Sequence, residues 1–69
     1  MDDQTLEDRY PIMKFFAYTH LPLPLQAISK PFADLAVQMA TDCPRNAETS
    51  AGLRKLLEAK DCFVRATLP

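Results

Sequence analysis

The sequence is poor in the residues that most recurring chemistries require. A single glycine, Gly52, rules out a glycine-rich loop that cradles phosphate. One histidine, His20, and no CxxC, HxxxH or carboxylate cluster leave a zinc site without its three or four ligands, so neither metal nor other cofactor is expected. Two cysteines, Cys43 and Cys62, form at most one bridge, far from the density of a secreted disulfide scaffold, and reduced thiols are expected. Neither has a second histidine to draw on as an activating base, and the paired carboxylates Glu58 and Asp61 have Arg54 and Arg65 as neighbours. No enzyme is expected. No apolar run reaches the ~18 residues of a membrane span, because Pro22, Pro24 and Pro31 break the most apolar stretch. The opening Met1-Asp2-Asp3-Gln4-Thr5 is acidic where a secretion signal is basic and then apolar. These features lead us to expect a soluble cytoplasmic protein with no membrane contact.

What is present is a 69-residue chain with 48% apolar and 25% charged residues, the composition of one globular module rather than a disordered tail. We take 1–69 as a single domain. Chains below roughly 80 residues usually need disulfides, a metal or partner subunits to reach useful stability. With the first two set aside, the expectation is a homo-oligomer whose core is shared between chains. Net charge is -1, yet residues 1–9 hold four acids against Arg9, so residues 10–69 carry seven bases and five acids. That mildly basic body is too weak for duplex DNA, where many phosphates must be neutralised together, but suits a small anion in a pocket.

The organisation reads as all-α. Residues 1–9 suggest a frayed or weakly helical lead-in, and residues 12–18 (IMKFFAY) a short helix with Pro11 in its first turn. The THLPLP stretch ends it, since proline disfavours helix in the residue before it. A first long helix begins near Pro22 or Pro24, with Leu25, Ile28, Phe32, Leu35 and Met39 spaced 3, 4, 3, 4 as a coiled-coil seam. The seam stays in phase across Pro31, which implies a bent helix with one freed carbonyl. Residues 41–46 read as a loop, with Asn46 or Asp42 able to cap a second long helix from about 47 to 67. Gly52 lies inside that helix, a position that would permit close helix contact. At ~100° per residue, Leu53, Leu56, Leu57, Val64 and Thr67 share one face with Lys60 at its centre, while Arg54, Glu58, Asp61 and Arg65 form a charged flank with i,i+4 pairs. A short connection makes the two long helices antiparallel neighbours, so the expected fold is an antiparallel helical hairpin with a short N-terminal helix, assembled into a homo-oligomer.

Among chemistries, anion recognition fits better than catalysis. Tyr18 and His20 precede the first long helix and Lys30 sits at its proline: an aromatic face stacks a base while an ammonium neutralises phosphate. Spacing alone favours the simpler placement, with Tyr18 in the core, His20 in one capping contact and Lys30 solvated. Arg65 is most simply the partner of Asp61. Lys60 among leucines needs something negative, or water at a subunit seam.

The strings FAYTHLPLPLQAISKPFADLA (16–36) and ETSAGLRKLLEAKDCFVRA (48–66) resemble a phage family of small helical anti-CBASS sponges, which sequester cyclic oligonucleotide signals. The resemblance rests on Tyr18, His20-Leu21-Pro22, Leu25-Gln26, Ser29, Pro31-Phe32, Leu35-Ala36, the run LRKLLEAKD from Leu53 to Asp61, and Val64-Arg65-Ala66, across about four fifths of the chain. It implies a helical hairpin assembled as a hexamer, a trimer of dimers, that acts in the cytoplasm of the infected bacterial host. Such a protein binds cyclic dinucleotides, such as cyclic GMP–AMP, between two subunits without cleaving them, and cyclic trinucleotides at a separate three-fold site. A related hairpin domain occurs in sponges for the cyclic ADP-ribose signals of Thoeris, which is the alternative ligand class. Tyr18 and Lys30 are then the stacking and phosphate-binding pair, repeated across a dimer axis, and His20 adds a polar contact near the same turn. Arg65 or Arg54 would serve a three-fold site, one from each of three chains. Outside the resemblance, a helical protein-interaction adaptor whose seam binds another helix is the competing class.

Overall fold

The computed structural model describes residues 3–68, and its helices are α1 (Asp3–Arg9), a 3₁₀ helix (Pro11–Phe16), α2 (Leu23–Asp42) and α3 (Ala47–Thr67). No strand occurs among the described residues. The all-α class follows, and each boundary has a local cause. Tyr10 is extended between α1 and the 3₁₀ helix, and Pro11 occupies the first turn, where a missing N–H costs nothing. Pro22 caps α2, its carbonyl accepting from the amides of Leu25 (2.9 Å) and Gln26 (3.0 Å). Helix α2 runs unbroken through Pro31, which withholds one backbone donor without ending the element. It extends to Asp42, so the connection shrinks to residues 43–46, with Pro44 barring continuation. Asn46 then caps α3: its Oδ1 accepts from the Thr49 amide at 2.9 Å, and Thr49 Oγ1 donates back to the Pro44 carbonyl at 2.6 Å. Glu48 in the first turn of α3 and Arg65 in its last both complement the helix dipole.

In place of a frayed or weakly helical lead-in, residues 3–9 form a full helix that is anchored in the core; Met1 and Asp2 lie outside the described residues. Leu6 is wholly buried, and the row it begins continues through Tyr10, Met13 and Phe16, all buried. The steps of four, three and three match an α-helical turn followed by a 3₁₀ repeat of three residues per turn, which stacks i and i+3 directly. Leu6 and the aromatic segment thus form one continuous apolar ridge.

That ridge packs on α2 and α3, but the face of α2 that receives it is not the seam of large residues. The buried positions are Ser29, Ala33, Ala36 and Ala40, joined by Leu53 of α3. Ile28, Phe32, Leu35 and Met39 each lie one residue earlier, ~100° around the helix, and are half-buried except Leu35, which is 42% exposed. Small side chains admit close approach of the neighbouring backbone, so the alanine row takes the interior and the larger row is pushed to its flank. At one point that flank closes on α3, where the rings of Phe32 and Phe63 stack with centroids 5.8 Å apart.

On α3 the expected face is only partly interior. Leu53 is buried, Leu56, Leu57 and Val64 are half-buried, and Thr67 is exposed. Gly52 makes no close helix contact: a Cβ built on it would meet nothing within 4 Å. The expected charged row is also rearranged. Asp61 pairs with Lys60 at 2.9 Å, not with Arg65, whose guanidinium instead donates to Cys62 Sγ at 3.4 Å. Among the described residues no ion pair joins Arg54 to Glu58. Asp61 is drawn to Lys60 because that side chain is only 13% exposed, and a near-buried ammonium gains more from a carboxylate than a solvated guanidinium does.

Candidate functional site

The apolar ridge and α2 do not close completely. Between them lies a cavity of about 460 Å³ with a floor of Leu6, Met13, Phe16, Ala33 and Val37. Its polar rim is made by Glu7 of α1, Tyr18 and Thr19 of the turn, and Asp34 of α2. The site is therefore apolar at its base and hydrogen-bonding at its mouth, the division expected of a pocket for a planar organic ligand with polar edges.

The turn that delivers Tyr18 is braced. The Leu21 amide donates to the Tyr18 carbonyl at 3.0 Å, and the Gln26 side-chain amide donates to the carbonyls of Leu21 (2.8 Å) and Thr19 (3.3 Å). Gln26 thus ties the turn to the first turn of α2 and holds the half-buried Tyr18 ring at the cavity edge. His20, in the same turn, is exposed.

Lys30 stands one helical turn before Asp34 on α2, its Nζ 2.7 Å from Asp34 Oδ2. The hydrogen bond that Lys30 donates to the Asp34 carboxylate, then that carboxylate's charge, then Tyr18, hold the Lys30 ammonium above its ordinary pKa, against the opposing effect of desolvation. Tyr18 and Asp34 line the cavity mouth, and Lys30 is joined to it through Asp34. Both charged side chains remain well exposed, so the pair is free to exchange partners.

The other residues singled out from the sequence lie elsewhere. Arg54 lines a separate cleft with Arg9, Tyr10, Pro11, Ile12 and Ser50. Lys60 is held by Asp61 on α3, and Arg65 is exposed near the end of that helix. Among the described residues no group of three potential metal ligands occurs, and both cysteines are free, Cys43 half-buried and Cys62 exposed. No described helix is long and apolar enough to cross a membrane. Sequence reasoning missed Asp34, Glu7 and Gln26 as parts of the site. The i,i+4 spacing of Lys30 and Asp34 was the available signal for the first; Glu7 had none, because its place depends on how α1 docks.

Comparison with protein-family models, with curated proteins and with solved structures finds no match to this chain.

Proposed function

We propose that the protein is a sponge: an antiparallel helical hairpin with a short N-terminal helix, assembled into a homo-oligomer, that binds cyclic oligonucleotide messengers and holds them intact. In the setting implied by the resemblance, this would block CBASS immunity in the infected bacterial cell. The observation that carries the reading is the cavity that opens beside Tyr18 and the Lys30–Asp34 pair. An aromatic face at an apolar cavity stacks a nucleobase, and an ammonium at its mouth meets the phosphate attached to that base. Lys30 carries its charge throughout the neutral range and exchanges Asp34 for phosphate without a change of protonation. His20 adds a polar contact from the same turn, and Arg65 is the candidate for a three-fold site.

Self-association supplies the second half of such a site. A cyclic dinucleotide has near two-fold symmetry, so two copies of Tyr18 and Lys30 related by a dimer axis would match its two bases and two phosphates. The apolar side chains for the assembly are at hand: Leu35, Phe63 at 57% exposure and Leu23 at 77% exposure. Sequestration needs no nucleophile. It does need nanomolar affinity, about 12 kcal/mol, to compete with a receptor, which demands several charge-assisted contacts and a preorganised pocket. The Gln26 brace provides part of that preorganisation.

Calorimetry with a panel of cyclic di- and trinucleotides and a cyclic ADP-ribose tests the reading. Tight binding of at least one cyclic oligonucleotide, with the ligand recovered unchanged, is expected, and Tyr18→Ala should abolish dinucleotide capture while leaving the assembly's mass unaltered. Binding of cyclic ADP-ribose alone would transfer the sponge to Thoeris signals. Silence across the whole panel would leave the protein-interaction adaptor ahead.

A further inference from the structure

The cavity beside Tyr18 has a feature that phosphate binding leaves unused. Two carboxylates line it, Glu7 of α1 and Asp34 of α2, and among the described residues no cationic side chain does. Asp34 is held by Lys30. Glu7 is half-buried and enters no ion pair among the described residues. Its place at the rim is set by the fold: the neighbouring Leu6 is wholly buried in the cavity floor, and the Leu6 carbonyl accepts from the Tyr10 amide at 2.7 Å where α1 meets the 3₁₀ helix.

A carboxylate accepts hydrogen bonds and donates none. A base that lies on Tyr18 with its edge at this rim must therefore bring donors. Guanine brings two side by side, N1–H and N2–H, which match the two oxygens of one carboxylate bidentately. Adenine and cytosine present on the same edge one amino group beside a ring-nitrogen lone pair, which a carboxylate repels. Uracil presents a single N–H between two carbonyls. When Lys30 turns to phosphate, Asp34 loses its partner and adds a second acceptor that favours the same donors.

We propose that Glu7 is the specificity-determining residue of the Tyr18 cavity and that the base it selects is guanine. This rests on the sponge reading, from which it takes the stacked base. The N-terminal helix thereby has a role in recognition: Leu6 anchors it, and Glu7, one residue on, reads the ligand.

Calorimetry of the full chain with cyclic di-GMP, cyclic di-AMP and cyclic di-IMP at matched ionic strength tests the assignment; the inosine ligand keeps N1–H and lacks the N2 amino group. The guanine ligand should bind about tenfold to a hundredfold more tightly than the adenine ligand, the discrimination typical of one bidentate pair to a base edge, with the inosine ligand between them. Glu7→Gln keeps the side chain's size but replaces one acceptor oxygen with a donor, and should bring the ratio of guanine to adenine affinity toward one. It should melt like the parent, since no ion pair is lost. Equal affinities for the guanine and adenine ligands, or a guanine preference that persists in Glu7→Gln, would overturn the role of Glu7 and leave the sponge standing. Failure of all three to bind would overturn it as well; capture of a cyclic trinucleotide would then keep the sponge, and silence there too would remove it.

Discussion

Two rows of α2 one residue apart divide the labour of this small protein. Ser29, Ala33, Ala36 and Ala40 face inward and carry the fold, whereas Ile28, Phe32, Leu35 and Met39 stand on its flank, where Leu35 is exposed. By hydrophobicity alone the assignment would be reversed, since the flanking row has far more surface to bury. The difference teaches that in a chain of this size the interior goes to the row that permits close approach. The greasier row stays half-buried on the flank, and only Leu35 is left exposed, where the proposed self-association would find surface.

The comparison breaks most visibly on the outer row. Leu35→Asp should dissociate the proposed assembly to single chains while the far-UV circular dichroism stays helical, because Leu35 is exposed on its own chain; sedimentation of the variant as the parent oligomer would remove Leu35 from the interface. On the inner row, Leu53→Ala removes the α3 side chain that is fully buried against the alanines and should cost ~2–5 kcal/mol in denaturant unfolding. Ala36→Leu places extra methylenes at a fully buried position and should cost ~1–3 kcal/mol by overpacking. Equal stability of Ala36→Leu and the parent would show that the alanine row is not close-packed. The smallest effect belongs to an open position of α3: Gly52→Ala, with open space around the new methyl, should raise stability by ~0.5–1 kcal/mol. A loss there in thermal melts would contradict the open space around Gly52.

Much of this architecture was legible in the sequence, for reasons that are local. Pro11, Pro22, Pro44 and Asn46 are punctuation with a fixed steric or hydrogen-bonding meaning, and the 3₁₀ helix, the start of α2 and the whole of α3 fall where they direct. The role of residues 3–9 was not legible, because Leu6 is a single apolar residue among acids and its burial depends on a partner face formed by Tyr10, Met13 and Phe16. The seam was misplaced for a related reason: periodicity marks apolar faces but does not say which of two adjacent faces the chain keeps for itself. At the candidate site, Tyr18 and Lys30 were named from residue type; Tyr18 lines the cavity and Lys30 is linked to it through its pair with Asp34, whereas Asp34 and the Gln26 brace required the geometry. Arg54, Lys60 and Arg65 are separated from that mouth, as side chains on α3 that sequence could group only by charge.

Native mass spectrometry of the purified chain mixed with cyclic GMP–AMP tests the central claim most directly. The account predicts a species of several 7.8 kDa chains carrying ligand of unaltered mass. A ligand-free single chain at micromolar concentration would contradict it.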